Sequence, residues 1–157
     1  MDYSQITEQL YIGTTPKRGD YHRLQQLGVK LIINMRFLRG GPPRGSDHGM
    51  TYLRLRTIDS PLFPIPVEAL VRGSNRALEV MGSGGKIYAH CSRGRHRSVA
   101  MAAAILIAQG MSPSEAMRLI KQRRRAADPE ASHIRPRILE FAQEWAQQAQ
   151  RYQGGVR

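Results

Sequence analysis

The chain has 157 residues, with 24 lysine and arginine residues against 12 acidic residues, so its formal net charge is +12. This length suits one domain, which buries roughly 68–70% of its unfolded surface without disulfide or metal support. A hydrophobic fraction of 41% excludes wholesale disorder. Twenty of the basic residues are arginine, whose planar guanidinium pairs two oxygens of a phosphate or carboxylate at once. Either a phosphorylated partner or an arginine-rich solvated surface explains this charge.

Cysteine content and the amino-terminal segment limit the type of protein. Cys91 is the only cysteine, which excludes an intramolecular disulfide and a zinc site with two or more cysteine ligands. The first residues are polar and lack the cationic and apolar stretches of a secretory signal. The longest apolar run, Val99 to Ala108, is about half the length of a membrane-spanning helix. We therefore expect a cytoplasmic protein without a membrane span, and we predict neither a metal site nor a cofactor.

Strand-like and helix-like segments alternate along the chain. In chain order, the patterns predict a strand over Leu10–Ile12, a helix over Asp20–Leu27, strands over Val29–Asn34 and Tyr52–Leu55, a helix over Val67–Met81, a strand over Lys86–His90, and helices over Val99–Gln109, Ala116–Arg124 and Pro136–Tyr152. The strongest strands lack strict polar–apolar alternation, which indicates strands covered on both faces. We predict an α/β fold in which a mostly parallel central sheet of about four to five strands is flanked by helices.

Local signals mark the ends of several elements. Gly28 ends the first helix, and the run from Arg39 to Ser46, rich in glycine and proline, is typical of a surface loop. Ser112, Pro113 and Glu115 form a capping box with proline at the first helical position. No repeat or low-complexity tract divides the chain, so residues 1–157 are interpreted as a single domain.

A polar loop connects the strand that ends at His90 to an alanine-rich helix, and it contains the only cysteine. Its sequence is Cys91-Ser92-Arg93-Gly94-Arg95-His96-Arg97-Ser98. A strand, tight loop and helix in this order direct several backbone N–H groups and the positive end of a helix at one point. A phosphate dianion fits there, and so does a cysteine thiolate with a lowered pKa. Arg97 is placed to hold two phosphoryl oxygens.

The spacing from Cys91 to Arg97 is weak evidence by itself. With 20 arginines in 157 positions, an arginine six residues after a given cysteine arises by chance in about one case in eight. A lone cysteine beside an apolar strand is usually a small buried side chain. Gly94 in mid-loop, a hydroxyl directly after Arg97, and the flanking strand and helix favour catalysis.

His90, Cys91, Arg97 and Ser98 together resemble the signature of the cysteine-dependent protein tyrosine phosphatases, and the flanking residues resemble their dual-specificity branch. The resemblance extends over roughly Ile6 to Trp145, with further similar segments at Leu10–Gly13, Gly28–Asn34, Ile58–Asp59 and Gly110–Ala116. It implies a single phosphatase catalytic domain with the Cys-x5-Arg fold. The activity it implies is a dual-specificity protein phosphatase, which acts on phosphotyrosine and on phosphoserine or phosphothreonine.

The resemblance also implies a mechanism in two steps. Cys91 attacks phosphorus as a thiolate and forms a phosphocysteine while a carboxylic acid protonates the leaving oxygen, and the same carboxylate then activates water. Ser98 hydrogen-bonds the sulfur as it leaves, and His90 orients the loop from behind. The backbone amides and the Arg97 side chain stabilise the phosphoryl oxygens. The substrate-binding residues are Ser92, Arg93, Gly94, Arg95 and His96.

Asp59 is the favoured general acid. It lies 32 residues before Cys91, after the third predicted strand, where the acid of the resembled family falls. Asp47, in the loop rich in glycine and proline, and Glu68, in a predicted helix, are the alternatives. In the alternative, structural interpretation, Asp59 only begins the turn at Ser60 and has no catalytic role.

The loop departs from the common dual-specificity pattern at His96, where serine or glycine is usual. Gly94 to Ser98 resembles the Gly-Lys-His-Arg-Thr loop of atypical plant and fungal phosphatases linked to inositol pyrophosphates, although Val99 stands where that group has glycine. Arg93, Arg95 and a protonated His96 add positive charge that suits several phosphates. Inositol polyphosphates and phosphoinositides are therefore alternative substrates, unless these arginines only face solvent.

A second basic run, Lys121 to Arg125, closes a predicted helix. Cations there offset the helix dipole, which is a sufficient explanation. RNA binding or removal of RNA 5′ phosphates is a minor alternative, because no aromatic-rich strand is present to stack bases. A phosphate- or RNA-binding module without turnover is the non-enzymatic alternative. Arsenate reductases and sulfurtransferases fit less well, because the former use additional cysteines and the latter commonly have a shorter loop.

Overall fold

The structure is a computed structural model that describes residues 1–42 and 48–155. Its elements in chain order are β1 (Tyr3–Thr7), β2 (Leu10–Gly13), α1 (Asp20–Gln26), β3 (Val29–Arg36), β4 (Thr51–Thr57), α2 (Val67–Gly82), β5 (Lys86–His90), α3 (Arg97–Ala108), α4 (Pro113–Arg123) and α5 (Arg135–Gly154). The predicted strands and helices all appear; the strand Lys86–His90 has the predicted bounds, and the others have shifted ends. The predicted loop over residues 39–46 lies partly outside the described residues, and its described part, residues 39–42, is irregular and mostly exposed.

The five strands form one sheet in the order β1-β2-β5-β3-β4. β1 pairs with β2 antiparallel, whereas the β2–β5, β5–β3 and β3–β4 pairs are parallel. This confirms the predicted α/β fold with a mostly parallel sheet. The sequence did not predict β1, because Ile6 is its only buried residue and no apolar run marks a strand at the edge of the sheet.

The two faces of the sheet bury different cores. Side chains that alternate along β2, β3 and β5, such as Ile12, Ile33 and Ile87, face a large core shared with α2, α3, α4 and α5. The opposite face carries a smaller core, in which Tyr88 of β5 packs with Tyr21 of α1. Since both faces are covered, the central strands need apolar residues at successive positions, as the sequence indicated.

Helix α3 lies in the middle of the larger core, and its residues from Arg97 to Ile107 are all buried. Its alanines allow close packing against neighbouring helices. At Gly73 of α2, an added Cβ would lie only 2.4 Å from Sδ of Met101. The helix begins at Arg97, two residues before the predicted start at Val99. Arg97 and Ser98 therefore belong to its first turn and share its rigidity.

No helix among the described residues is long and apolar enough to cross a membrane.

The capping box at the start of α4 is formed as predicted. Ser112 Oγ accepts a hydrogen bond from the Glu115 N–H at 3.2 Å, and Glu115 Oε2 accepts one from the Ser112 N–H at 2.9 Å. Substitution Ser112→Ala removes the first of these bonds, and we expect it to lower the free energy of unfolding by about 0.5–2 kcal/mol in urea denaturation. Ser114→Ala, an exposed substitution in the same turn, is the matched control. Equal effects of the two substitutions would contradict a stabilising cap.

Candidate active site

The loop of residues 91–96, called here the Cys91 loop, follows β5 at the carboxyl edge of the sheet and leads into α3. Its carbonyl groups are held outward: the Arg124 guanidinium donates to the Arg93 oxygen at 3.2 Å and to the Gly94 oxygen at 2.7 Å. The Asp128 N–H donates to the Arg95 oxygen at 3.0 Å. In a planar trans peptide the C=O and N–H groups point in opposite directions. The N–H groups that follow these carbonyls therefore point inward and form a cradle for an anion.

Gly94 is required by the backbone at the centre of this loop. Its φ angle is +62°, and an added Cβ would lie 2.7 Å from the backbone carbon of Gly13 and 2.8 Å from Nη2 of Arg124. Only glycine fits both the left-handed conformation and this close contact. The tight fold predicted at Gly94 is confirmed.

Cys91 is buried, and its Sγ lies 3.3 Å from Oγ of Ser98. Burial is the largest single influence on the thiol and raises its pKa. Hydrogen bonds from the Ser98 side chain and from the backbone of Ser98 and Arg95, together with the charge of Arg97, outweigh burial, so the pKa of Cys91 lies below its ordinary value. The surroundings favour a thiolate, which is the nucleophilic form of cysteine.

Arg97 is buried and is held at one end of its guanidinium. Nη1 donates to the Thr57 oxygen at 2.9 Å and to the Met35 oxygen at 3.3 Å, at the carboxyl ends of β4 and β3. Nε is buried without a hydrogen-bond partner. An unpaired buried donor is costly, and an anion in the cradle would satisfy it. The arginine is therefore preorganised to bind oxygens.

His90, predicted to orient the loop, is buried and stacks on Tyr88 with ring centroids 5.9 Å apart. Burial lowers its pKa to about 4, and its Nδ1 is buried without a hydrogen-bond partner. The imidazole is therefore neutral at neutral pH and carries no charge into the site.

Asp59 follows β4 and contacts two histidines. His133 Nε2 lies 2.7 Å from Oδ1, and His96 Nδ1 lies 3.1 Å from Oδ2. Partial burial, the largest influence, raises the pKa of Asp59, but the bonds from His133 and His96 and the charge of Arg97 together bring the pKa below its ordinary value. The structure thus brings Asp59 to His96 of the Cys91 loop and to the neighbourhood of Arg97.

The remaining candidate residues do not all lie at the site. Ser92 and Arg93 are exposed, and exposed Arg95 forms an ion pair with Asp128 at 3.4 Å. Glu68 lines a groove between α2 and α5 to which no residue of the Cys91 loop contributes. Asp47 lies outside the described residues. Asp59 is the candidate acid that the described structure brings to the loop.

Two residues that support the site could not be identified from the sequence. Arg124 belongs to the basic run interpreted as cations that offset the helix dipole or as an RNA contact, yet it is buried, and it also pairs with Asp2 at 2.8 Å. This corrects that interpretation, because Arg124 faces the Cys91 loop. Lys121 fits the helix-end explanation, since its Nζ donates to the carbonyl oxygens of Arg125 and Ala127 at 2.8 Å.

His133 had no sequence signal, because its contact with Asp59 spans 74 residues.

Residues 10–144 match the family model described as "Dual specificity phosphatase, catalytic domain". The chain belongs to this family. Human "Phosphatidylglycerophosphatase and protein-tyrosine phosphatase 1" is 33% identical over 154 residues, which is 93% of this chain and 74% of that protein. Human "Dual specificity phosphatase 28" is 28% identical over 131 residues, 80% of this chain and 69% of that protein.

A solved structure shows the same fold as this dual-specificity phosphatase chain. The crystal structure of PTPMT1 in complex with PI(5)P superposes with a TM-score of 0.82 and 29% sequence identity, over 94% of this chain and 98% of that one. Family membership makes the chain a cysteine-dependent phosphatase, as the resemblance implied. Family membership gives no support to the alternative of a phosphate- or RNA-binding module without turnover.

The surroundings of Cys91 predict a thiol that reacts at lower pH than free cysteine. The rate of alkylation by iodoacetate should rise with pH through a midpoint below that of free glutathione, because only the thiolate reacts. Substitution Ser98→Ala removes a bond that favours the thiolate, so its midpoint should move upward. Ser92→Ala, which changes an exposed hydroxyl of the same loop, is the control and should leave the midpoint in place. If the alkylation midpoint of the unsubstituted chain equals that of free glutathione, the lowered pKa of Cys91 is contradicted.

Proposed function

We propose that this chain hydrolyses phosphate monoesters through a phosphocysteine intermediate at Cys91. The supporting observation is the convergence of a sulfur with a lowered pKa, inward N–H groups and a buried Arg97 with an unpaired Nε. The thiolate attacks phosphorus, the S–P bond forms, and the bond to the leaving oxygen breaks. The cradle and Arg97 stabilise the charge on the phosphoryl oxygens during transfer. In this role Arg97 binds phosphoryl oxygens through the guanidinium nitrogens that do not donate to the Thr57 and Met35 carbonyl oxygens.

Asp59 is proposed to supply the proton in the first step and to accept one in the second. It protonates the leaving oxygen, and its carboxylate then takes a proton from the water that attacks the phosphocysteine. Ser98, 3.3 Å from the sulfur, hydrogen-bonds the thiolate as it leaves. The lowered pKa of Asp59 favours the carboxylate of the second step. A bound phosphate dianion disfavours that negative charge and so favours the protonated acid of the first step.

Substitution of Asp59 tests this role. Asp59→Asn should lower kcat by about 10²–10⁴-fold for phosphate esters with poor leaving groups, and much less for an activated aryl phosphate, which departs without a proton. Glu68→Gln, at the alternative acid beside α5, should leave both rates unchanged. Steady-state release of inorganic phosphate measures both substrates. Equal losses on the two substrates would exclude Asp59 as the general acid.

For the substrate, we propose phosphorylated protein side chains, so that the chain acts as a dual-specificity protein phosphatase in the cytoplasm. The family match and the names of the two human relatives support this class. The exposed ion pair of Arg95 with Asp128 at 3.4 Å partly offsets one of the charges that favoured polyphosphorylated substrates. Exposed Arg93 remains available for an additional phosphate.

Membrane lipid phosphates are a second candidate, favoured by exposed apolar residues near the site. The loops that follow β3 and β4 carry an apolar rim made of Phe37, Leu38, Ile58, Leu62 and Phe63, which are 40–83% exposed. These loops begin where Arg97 binds the ends of the same two strands. Apolar residues on a chain of net charge +12 suit an anionic membrane surface. The PI(5)P complex of the PTPMT1 neighbour supports a phosphoinositide substrate.

The apolar rim gives a test that separates the two substrate classes. In the double substitution Leu62→Ser and Phe63→Ser, the ratio of PI(5)P turnover in anionic vesicles to aryl phosphate turnover should fall at least about tenfold, because two apolar side chains no longer enter the membrane. Tyr152→Ser, which removes an exposed ring from α5, is the matched control. An unchanged ratio in the double variant, or PI(5)P turnover far below that of phosphopeptides, would exclude the lipid candidate.

A further inference from the structure

Three side chains with metal-binding atoms converge beside the Cys91 loop. Asp59 comes from the loop after β4, His96 from the residue before α3, and His133 from the turn before α5. Within residues 1–42 and 48–155, their ligand atoms lie within 4.8 Å of one another. The two imidazoles also contact each other edge to face, with ring centroids 4.8 Å apart. From this convergence we propose that Asp59, His96 and His133 bind a zinc ion at the entrance to the active site.

The chemistry of these ligands selects the metal. Zinc takes imidazole nitrogen and carboxylate oxygen at about 2.0–2.2 Å in tetrahedral geometry, so its ligand atoms lie about 3.4 Å apart. The contacts of Asp59 with His133 at 2.7 Å and with His96 at 3.1 Å are shorter than this spacing, whereas the outer limit of 4.8 Å for the three ligand atoms is longer. Both imidazoles are partly exposed, so their rings can rotate to close the wider gap between them. Magnesium prefers oxygen ligands and fits this set poorly.

A second carboxylate is placed to orient one of the ligands. His96 faces Asp59 through Nδ1, and its Nε2 lies 3.8 Å from Oδ2 of Asp128. Histidine ligands of zinc commonly interact through their second nitrogen with a carboxylate, which fixes the ring and strengthens the ligand. Asp128 is itself anchored, because its N–H binds the Arg95 carbonyl oxygen at 3.0 Å. Three protein ligands leave the fourth zinc position open toward solvent or a phosphoryl oxygen.

Metal binding would have a direct effect on turnover. A zinc-bound Asp59 stays a carboxylate and can neither donate nor accept a proton, so zinc inhibits the reaction. This consequence rests on the proposed role of Asp59 as general acid, whereas zinc binding itself does not depend on it. The site therefore makes the enzyme sensitive to free zinc.

Zinc binding is tested in the full chain with Cys91→Ser, which removes the thiolate as a competing zinc ligand. Competition with a chromophoric zinc chelator should show one zinc ion per chain, and magnesium in excess should not displace it. Adding His133→Asn should weaken zinc binding at least about tenfold, because a direct ligand is lost. Adding His22→Asn, at an exposed histidine of α1, should leave zinc affinity unchanged. His96→Asn provides an independent loss of a ligand should the His133 variant fail to fold.

Absence of saturable zinc binding overturns the proposal, as does equal zinc affinity in the chains with and without His133 and His96. Loss of affinity in the two ligand variants, together with retention in the His22 variant, supports it. Because the Cys91→Ser chain has no nucleophile, this measurement does not depend on turnover. Failure of the proposed phosphatase mechanism would therefore appear separately, in the phosphate-release measurements.

Discussion

The orientation of three peptide groups in the Cys91 loop is the constraint on which the site depends. The carbonyls of residues 93–95 point outward to Arg124 and to the Asp128 backbone, so the neighbouring N–H groups point inward. Reversing these peptides would place carbonyl dipoles against Cys91 and disfavour its thiolate. Arg124 and Asp128 lie near the end of α4 and after it, so the packing of that helix sets the electrostatics of a loop about 30 residues away.

The parallel sheet supplies the second half of the site. Carboxyl ends of neighbouring parallel strands meet at one edge, and here the ends of β3 and β4 bind Nη1 of Arg97. The arginine is thereby fixed before any anion arrives, while its Nε stays unpaired. Anion binding in the cradle costs little free energy of ordering, because the fold has already ordered these groups. In the proposed mechanism, binding and rate enhancement thus share one structural origin.

The surroundings of Asp59 connect its proposed role in proton transfer with the proposed zinc site. Its two histidine contacts favour the carboxylate, which suits activation of water, and they also assemble nitrogen and oxygen ligands around one point. A proton and a metal ion compete for the same oxygens, so zinc at the proposed site would oppose the proposed proton donation by Asp59. The His96 contact places this competition directly on the Cys91 loop, where we propose that the substrate phosphate binds.

The sequence determined the fold class, the loop and the candidate nucleophile, because these depend on local order: a strand, a tight turn at Gly94 and a helix in succession. Asp59 could also be identified from the sequence as the candidate general acid, because it follows a predicted strand. The burial of Arg124 and the contact of His133 with Asp59 could not be identified, because they depend on packing between residues 30 to 122 positions apart. The edge strand β1 was missed for a local reason, since Ile6 is its only buried residue and no apolar run marks it. Spacing along a chain reveals side chains that one element brings together, and only the tertiary structure decides which distant ones meet.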